Sequence, residues 1–458
     1  MKDLRSFIRE WRERYPEETV VIREEVSHRH EITAIVKKFD LEGKHPLLIF
    51  EKVKDYNIPV VCNVEATNKH LGLALGVEPD RVFWWYNQVE EEVLAGKRNF
   101  PPVEVAPSSA PVKEVILRGE EVDLFSFPFL IHHLNEAPYA TRGIGITRDP
   151  ETGYLHAAHY RLMIKDKRLM VTHITPGRHL WYIYKKAEAL GQSLPIAFAI
   201  GSHPAVSLGA QSRIAHPPTE LDVIGGLLGE SLEMVRCETS DLLVPARAEM
   251  VIEGELRPGL RETEGPWSDF TRYSQVAPRH PVFVRAVTHR RDMLMHDAGS
   301  WLSVGHAIAR IPQQAYVRRE VMKAVPAVKD FRFGLFPQPM YGLIAIEKTH
   351  EAEPKQAILA AFAAELYLKY VIVVDTDIDL SNTAEIFWAV ATRAQADRDF
   401  LILPGVLGLD LDISAPRESV LTKVGIDATA KPFRKDLPPV GKIPEDVLAK
   451  IDLSRFLR

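Results

Sequence analysis

The chain has 458 residues, of which 46% are hydrophobic and 26% charged, and its 57 basic and 62 acidic residues leave a formal net charge of −5. This composition is typical of a folded protein with several domains and excludes a disordered or low-complexity chain. The small negative charge, without any block of Lys and Arg, argues against a nucleic-acid-binding protein. Two cysteines, Cys62 and Cys237, are too few for a disulfide framework and predict reduced thiols.

The first residues, MKDLRSFIREWRERYPEE, lack an apolar segment followed by a small-residue cleavage site, so no signal peptide is expected. The most apolar stretches are short or interrupted by charges, which predicts that no segment spans a membrane. We therefore expect a cytoplasmic protein, in which the 17 histidines are the first indication of chemistry.

The first domain is predicted over residues 1–110 and is of the α/β class. Residues 3–15 carry apolar side chains at the spacing of one helix face. The β-rich runs that follow are 19-TVVIREEV, 47-LLIFEKV and 59-PVVCNV. The stretch NFPPVEVAPSSAPV then predicts a linker or an irregular crossing segment, because proline lacks a backbone donor and resists both helix and sheet.

Residues 111–311 carry short β-like runs separated by Gly and Pro, a pattern that predicts a barrel-like β domain. Helical inserts are predicted over 176–190 and 219–230. The β-like runs are 113-KEVILRG, 143-GIGITRD, 154-YLHAAHYRLMI, 169-LMVTHI, 195-LPIAFAIG, 249-EMVIEGEL and 282-VFVRAVTHR. From residue 312 to residue 458 the pattern is α/β again, with a buried strand at 371-VIVV and a terminal helix over 444-PEDVLAKIDLSRFLR.

The densest polar cluster lies in the middle domain, where 156-HAAHYR places His156, His159 and Arg161 within six residues of predicted strand. Strict alternation would send His156 and Arg161 to opposite faces, so both reach one site only if a bulge intervenes. His179 and Glu220 follow along the chain. Two imidazoles and a carboxylate can hold a divalent cation. Hydrogen-bonded histidines at a domain surface are the alternative interpretation.

A second constellation, 262-ETEGPWSD, places Glu262, Glu264 and Asp269 around a Gly–Pro turn. A turn that brings two carboxylates together raises the pKa of one of them, as a proton-transfer residue requires. An arginine between them would hold one carboxylate ionised. A solvated acidic turn is the alternative. The acidic run 375-DTDID, after a predicted strand, can likewise bind metal or ribose, or only cap the next helix.

Four stretches together resemble the UbiD family of prenylated-flavin-dependent decarboxylases, and the match spans nearly the whole chain. They are 229-GESLEMVRCETSDLLVPARAEMVIEGEL, 264-EGPWSDFTRY, 371-VIVVDTDIDLSNTAEIFWAVATR and 422-TKVGIDAT. The resemblance implies an α+β and α/β multidomain fold: an N-terminal α/β domain, a central split β-barrel that holds the flavin, and a C-terminal α/β domain with a terminal dimerisation helix. This order agrees with the domain boundaries predicted above.

The resemblance also implies a catalytic network of Arg161, Glu264 and Asp269, in which Asp269 protonates the carbon after carbon dioxide leaves. The implied ligands of a divalent metal, with manganese expected and a potassium ion beside it, are His156, His179 and Glu220. The family usually has asparagine at position 156. An imidazole there makes the site softer and leaves the identity of the metal open.

Further contacts are carried over from the family residue by residue. The implied cofactor-binding residues are His156, Ala158, His159, Tyr160, Arg161, Arg178, His179, Gln211, Ser212, Glu220 and Lys423. The residues expected to line the substrate pocket are Thr175, Phe270 and His296. No arginine stands between Asp297 and Ala309, so a second substrate carboxylate lacks an obvious partner there, which favours a monocarboxylate.

The implied activity is the reversible non-oxidative decarboxylation of an aromatic, heteroaromatic or α,β-unsaturated acid, for which prenylated FMN supplies the electron sink. The implied partners are this acid, carbon dioxide, a UbiX-type flavin prenyltransferase that supplies the cofactor, and further copies of the chain in a homodimer or homohexamer. Neither nucleic acid nor membrane is expected. Two alternatives stay open: an FMN-dependent reductase on a split barrel, and a metal-dependent hydrolase that uses His156, His179 and Glu220.

Overall fold

The protein is described by a computed structural model that covers residues 2–214, 217–299, 307–334, 339–416, 419–431, 441 and 443–456. Its N-terminal region combines helices with a small sheet. The elements are α1 (Leu4–Arg14), β1 (Thr19–Val26), α2 (Glu31–Leu41), β2 (Leu47–Val53), β3 (Val60–Cys62), α3 (Asn68–Leu75), α4 (Val82–Leu94) and β4 (Val103–Glu104). Strand β1 pairs in parallel with β2, and β2 pairs antiparallel with β3. The predicted α/β character of this region is confirmed.

The central region is dominated by antiparallel strands. Its elements are β5 (Val115–Arg118), β6 (Tyr139–Arg148), β7 (Leu155–Asp166), β8 (Leu169–Thr172), α5 (His179–Ala189), β9 (Leu194–Ile200), α6 (Pro204–Gly209), α7 (Glu220–Leu228), β10 (Glu233–Arg236), β11 (Leu243–Pro245), β12 (Met250–Leu256), β13 (Glu262–Ser268), β14 (Ser274–His289) and β15 (Met295–His296).

Within the described residues, six of these strands close a barrel in the order β12-β9-β6-β7-β8-β14, because β14 pairs with β12 as well as with β8. Strands β5 and β13 both extend along the long strand β14. Apolar side chains such as Leu162, Phe198 and Val282 fill the core of this barrel. The predicted central β-barrel is therefore confirmed, with both predicted helical inserts.

The N-terminal and central regions are joined more closely than a simple division at residue 110 suggests. Strand β15 returns from the barrel and pairs in parallel with β3, so the N-terminal sheet has the order β1-β2-β3-β15. Tyr86 and Val89 of α4 share a hydrophobic core with Ile224 of α7. Sequence periodicity does not reveal such a return, because a two-residue strand carries no pattern of its own.

The C-terminal region is an α/β layer. Its elements are α8 (Ala307–Ala324), β16 (Val328–Phe333), β17 (Tyr341–Ile346), α9 (Glu353–Ala364), β18 (Tyr370–Asp375), α10 (Thr383–Arg393), α11 (Ala396–Asp399), β19 (Phe400–Leu407), β20 (Val420–Asp427) and α12 (Glu445–Leu448). The sheet has the order β16-β17-β18-β20-β19, and its central strands β17, β18 and β20 are parallel. The predicted third α/β layer is confirmed.

The boundary predicted between residues 311 and 312 falls inside helix α8. Ile308 and Ile311 pack into the core shared by the first two regions. Val317 and Val321, two turns further on, pack into the C-terminal core. The helix thus bridges two cores, and Pro312 lies inside it instead of starting a new domain.

The terminal helix predicted over residues 444–458 is much shorter in the structure. It consists of α12 and a separate 3-10 turn at Leu453–Arg455, and residues 457 and 458 lie outside the described part of the chain. The apolar side chains of this segment are exposed, Phe456 to 71%. A short helix without a packed face is marginal in water, which accounts for the difference. Among the described helices, none combines the length and apolar character needed to cross a bilayer.

Candidate active site

A cavity of about 900 Å³ lies between the barrel and the C-terminal region. Its size is at the upper end of small-molecule sites in proteins, which run to about 1,000 Å³. Among the residues predicted from the sequence, those that line it are His156, Ala158, His159, Tyr160, Arg161, Thr175, Arg178, His179, Gln211, Ser212, Glu220, Asp269 and Phe270. Glu264, His296 and Lys423 are not among the lining residues, and each is buried behind residues that do line the cavity.

Strand β7 supplies both His156 and Arg161 to the cavity although their positions along the strand have opposite parity. The irregularity beside this stretch lies in the neighbouring strand β6, so the predicted bulge between His156 and Arg161 of β7 is not found in the described pairing. Thr141 and Arg142 of β6 together stand opposite Arg161, between the pairs Ala140–Leu162 and Gly143–Tyr160. Two residues facing one increase the local twist of the ladder, and such bulges re-aim side chains next to binding sites.

Arg161 lies between two carboxylates. Its Nε and Nη2 donate to Oε1 and Oε2 of Glu264 at 2.7 and 3.0 Å, and its Nη1 donates to Oδ2 of Asp269 at 2.7 Å. The Asp269 oxygen also accepts a hydrogen bond from Nε1 of Trp267 at 3.2 Å. Burial acts to lower the pKa of Arg161, but the charges of Glu264 and Asp269 outweigh it and the pKa is raised. The guanidinium is therefore firmly cationic.

The two carboxylates differ in exposure. The Glu264 side chain is 3% exposed and that of Asp269 is 20% exposed, so the predicted solvated turn does not describe Glu264. Gly265 allows the tight return of the chain between them. Its φ is +107°, and a Cβ added there would lie 2.2 Å from the carbonyl oxygen of Gln275. Only glycine fits both conditions.

His156, His179 and Glu220 converge at the other side of the cavity, and their ligand-type atoms all lie within 4.8 Å of one another. Glu220 Oε1 is 3.0 Å from Nδ1 of His156 and 3.3 Å from Nδ1 of His179, while Tyr154 donates its hydroxyl to Glu220 Oε2 at 2.7 Å. Glu220 opens helix α7, whose N-terminal dipole favours a negative charge. The three side chains have the geometry of a divalent-cation site.

Glu220 is buried, and its charge is set by its neighbours. Burial acts to raise its pKa, but His156, His179 and Tyr154 outweigh that effect and lower the pKa to about 2. The carboxylate is therefore ionised across the physiological range. A buried anion beside two imidazoles is suited to binding a cation.

A second cationic group faces the cavity where the C-terminal region contacts the barrel. Arg178 and Arg213 both pair with Glu365, a fully buried carboxylate at the end of helix α9; the distance from Arg178 Nη2 to Glu365 Oε1 is 2.5 Å. Arg178 also lies over the ring of Tyr367 at 4.5 Å. The sequence analysis did not identify Arg213 or Glu365. Glu365 lies 152 residues from Arg213 and 187 residues from Arg178 along the chain, so no local sequence pattern predicts that they pair.

Lys423 and His296 occupy supporting positions behind the lining. Lys423 is 1% exposed, and its Nζ donates to the carbonyl oxygen of Leu366, a lining residue, at 3.0 Å. Burial, with a further contribution from Arg178, lowers the pKa of Lys423 to about 8. His296 is 2% exposed, and burial, together with Arg142 and His159, lowers its pKa well below the usual value. The predicted roles, Lys423 in cofactor binding and His296 in the substrate pocket, stay predictions.

The acidic run 375-DTDID has an ordinary structural partner. Arg393 of helix α10 donates to Asp375 at 2.9 Å and to Asp377 at 2.6 Å. These carboxylates thus tie α10 to the end of strand β18. The contacts favour a structural role for this run, although the cap of α10 itself is Asn382 and not a residue of the run.

Comparison with known proteins identifies the family. Models of the N-terminal domain, the Rift-related domain and the C-terminal domain of 3-octaprenyl-4-hydroxybenzoate carboxy-lyase match residues 12–83, 103–301 and 306–428. The chain belongs to the UbiD family. It is therefore a carboxy-lyase, that is, a decarboxylase. Membership of the UbiD family sets aside the reductase and hydrolase alternatives.

Relatives of known identity cover the chain almost completely. Anhydromevalonate phosphate decarboxylase of Methanothermobacter thermautotrophicus is 33% identical over 92% of this chain and 96% of its own length. The UbiD-class enzyme HmfF from Pelotomaculum thermopropionicum, solved in complex with FMN, is 37% identical, with a TM-score of 0.84 over 99% of this chain and 100% of that one. An evolved dimeric form of HmfF in complex with prFMN is 35% identical, with a TM-score of 0.83 and full coverage of both chains at 100%.

Proposed function

We propose that this UbiD-family protein is a prenylated-FMN-dependent decarboxylase of an aromatic, heteroaromatic or α,β-unsaturated carboxylic acid. The observation that carries the proposal is the position of Arg161 between Glu264 and Asp269, at the wall of a cavity of about 900 Å³. That arrangement joins a fixed cation for a substrate carboxylate to a carboxyl group for proton transfer. The complexes of HmfF with FMN and prFMN support the choice of cofactor.

The residues present fit a phosphorylated flavin and its cation. The cavity has room for a flavin beside a small acid, since single drug-sized ligands take sites from about 300 Å³ upwards. Arg178 and the buried Lys423 supply positive charge for a phosphate, and His156, His179 and Glu220 supply a cation site. When bound, the prenylated flavin supplies the electron sink that loss of carbon dioxide from an unsaturated carbon requires.

The catalytic residues take different roles because they differ in position. Arg161 is positioned to bind and orient the substrate carboxylate, since its guanidinium lines the cavity and is held by two anions. Asp269 also lines the cavity and would deliver a proton from its carboxyl oxygen to the carbon that has lost carbon dioxide. Glu264 is buried behind Arg161 and fixes the guanidinium in place without reaching the substrate.

A divalent cation at His156, His179 and Glu220 is part of the proposal. Manganese is the ion expected from the family, while two imidazoles make the donor set more suitable for iron, cobalt or zinc than an amide would. A potassium ion beside it would contact the loop that contains Gln211 and Ser212, both of which line the cavity.

The substrate is proposed only as a class. The monocarboxylate preference was predicted from residues 297–309, and of these residues 300–306 lie outside the described chain. The relative from Methanothermobacter thermautotrophicus is named for a phosphorylated substrate. A suitable panel therefore contains 2-furoate, pyrrole-2-carboxylate, 4-hydroxybenzoate, cinnamate, a furan dicarboxylate and a phosphorylated unsaturated acid.

Assembly and location extend the same proposal. A homodimer or homohexamer, a UbiX-type prenyltransferase as cofactor supplier and a cytoplasmic location all follow from the family. The exposed apolar side chains of residues 443–456 support assembly through this segment; the most exposed are Ile443, Leu453 and Phe456.

The test is carbon dioxide release from this panel by protein produced with and without a co-expressed flavin prenyltransferase. We expect release from at least one acid, only with protein from the co-expressing cells. Release that is the same without the prenyltransferase, or no release from any acid by flavin-loaded protein, would contradict the proposal.

A further inference from the structure

One carboxylate of the C-terminal region reaches across to the barrel beside the catalytic network. Asp410 lies in the segment between β19 and β20, and its side chain is fully buried. Its Oδ2 is 2.5 Å from Nε2 of His173 and 3.4 Å from Nη2 of Arg279. His173 follows β8 and lines the cavity, and Arg279 belongs to β14. Both side chains that bind Asp410, His173 and Arg279, thus belong to the barrel region.

Arg279 connects this carboxylate to the catalytic network. Its Nε lies 3.8 Å from Oε2 of Glu264, the oxygen that accepts from Nη2 of Arg161 at 3.0 Å. Glu264 therefore lies between two guanidinium groups. Asp410 is one of the carboxylates that attract Arg279, and removing its charge would draw the Arg279 guanidinium more strongly towards Glu264, which Arg161 also binds. A buried charge left without its partner rearranges its neighbours strongly.

The residues on either side of Asp410 contact the chain next to Asp269. Leu409 and Leu411 are buried against Phe270, the residue that follows Asp269. The carbonyl oxygen of Leu411 accepts a hydrogen bond from Nε2 of Gln275 at 2.9 Å. The segment 409–411 thus fixes the catalytic turn through apolar packing as well as through charge.

The ionisation of Asp410 agrees with this arrangement. Burial acts to raise its pKa, but His173, Arg279 and Arg161 outweigh burial and the pKa is lowered. The group is therefore an anion at neutral pH. Arg161, the centre of the catalytic network, is one of the cations whose charge stabilises the ionised form of Asp410.

We propose that Asp410 is a positioning residue: when the C-terminal region docks on the barrel, Asp410 binds His173 and Arg279 and thereby leaves Glu264 to hold Arg161 in its working orientation. Docking of the C-terminal region and assembly of the catalytic network are in this way one event. The proposal rests on the proposed function for its catalytic consequence, and its structural part is independent of it.

The primary test compares the flavin-loaded variants Asp410→Asn and Asp412→Asn. Asp412 is the matched control, because it lies in the same segment but binds Lys369 of the C-terminal region, at 2.6 Å. We expect Asp410→Asn to lower kcat by about 10- to 100-fold, as small errors in catalytic geometry do, with bound flavin unchanged. Asp412→Asn should leave kcat within about twofold of the native value, because its ion pair with Lys369 lies within the C-terminal region.

A rescue experiment separates the charge argument from simple loosening. In Asp410→Asn/Arg279→Gln the second guanidinium near Glu264 is also removed, so kcat should recover part of the loss seen in Asp410→Asn. Non-additivity of this kind is the signature of residues in one network. A double variant slower than Asp410→Asn would overturn the proposal.

Hydrogen–deuterium exchange gives a readout that needs no substrate. Asp410→Asn should raise deuterium uptake in peptides that cover residues 268–275. Asp412→Asn should not, because of these two carboxylates Asp410 binds barrel residues and Asp412 binds Lys369 of the C-terminal region. Equal uptake and equal kcat in both variants would overturn the proposal. If flavin-loaded native protein decarboxylates no acid while the exchange difference is present, the proposed function fails and the docking role of Asp410 stands.

Discussion

The cavity has two walls that are built in different ways. The barrel wall, defined by His156, His179 and Glu220, draws all its residues from the central region, and they are held by each other and by Tyr154. The docking wall consists of the ion pairs that join the barrel to the C-terminal region: Arg178 and Arg213 with Glu365, and His173 and Arg279 with Asp410.

The two walls differ in which regions of the chain must be in contact for each wall to form. The barrel wall depends only on contacts within the central region, and so does the cation site proposed there. The docking wall exists only when the two regions meet, and its buried carboxylates then balance guanidinium groups that face the cavity. Arg161 lies where the walls join, since Glu264 holds it from the barrel and Arg279 links Glu264 to Asp410.

The largest effect is expected where the walls join. Asp269→Asn removes the proposed proton donor, and we expect kcat to fall by about 10²- to 10⁴-fold, the usual contribution of general acid catalysis. Flavin absorbance of the purified protein should stay at the native level. Glu262→Gln is the matched control, because Glu262 begins strand β13, which ends just before Asp269, and pairs with Lys165 at the surface. Native turnover in Asp269→Asn would refute the assignment of the acid.

The docking wall is tested next by Glu365→Gln. The change leaves Arg178 and Arg213 without their common anion, and loss of one partner of a buried ion pair costs about 3 kcal/mol of the free energy of unfolding. Chemical denaturation of the flavin-free protein measures this, with Glu351→Gln at an exposed position just before α9 as control. Equal stability of the two variants would show that the docking wall contributes no stability.

The barrel wall is tested by Glu220→Gln, which removes the anionic ligand of the proposed cation site. Since loss of an outer-shell partner alone costs about 10- to 100-fold in metal affinity, loss of a ligand should lower the metal content at least that far. Metal analysis of the purified protein is the measurement. Glu230→Gln, beyond the other end of α7, should keep native metal content. Unchanged metal in Glu220→Gln would place the cation elsewhere.

The smallest effect concerns Lys423, behind the docking wall. Because burial lowers its pKa from 10.5 in the unfolded chain to about 8, the unfolded state binds more protons between these values. The contribution of Lys423 to the free energy of unfolding therefore rises with pH from about 8 to about 10.5 in the flavin-free protein. Lys423→Met should flatten that part of the pH profile, and should also weaken FMN binding. An identical profile in the variant would contradict the assignment.

The order of an α/β region, a β-barrel region and a second α/β region could be predicted from the sequence, because the spacing of apolar residues differs between helices and short strands. The grouping of His156, His179 and Glu220 could be predicted because these residues form part of a family pattern, and the acidic turn could be predicted because Glu264 and Asp269 are five residues apart. Sequence reasoning missed Glu365 and Asp410, since the partners named for them lie 131 to 237 residues away along the chain. The boundary predicted after residue 311 falls inside helix α8, because this helix packs Ile308 and Ile311 into one core and Val317 and Val321 into another.

The central claim, that this chain works with a prenylated flavin, is tested most directly by releasing and weighing the small molecule it binds. The chain is produced with a flavin prenyltransferase, purified and denatured, and the absorption and mass of the released compound are recorded. The account predicts a flavin heavier than FMN by one prenyl group. Release of unmodified FMN, or of no flavin, would contradict it.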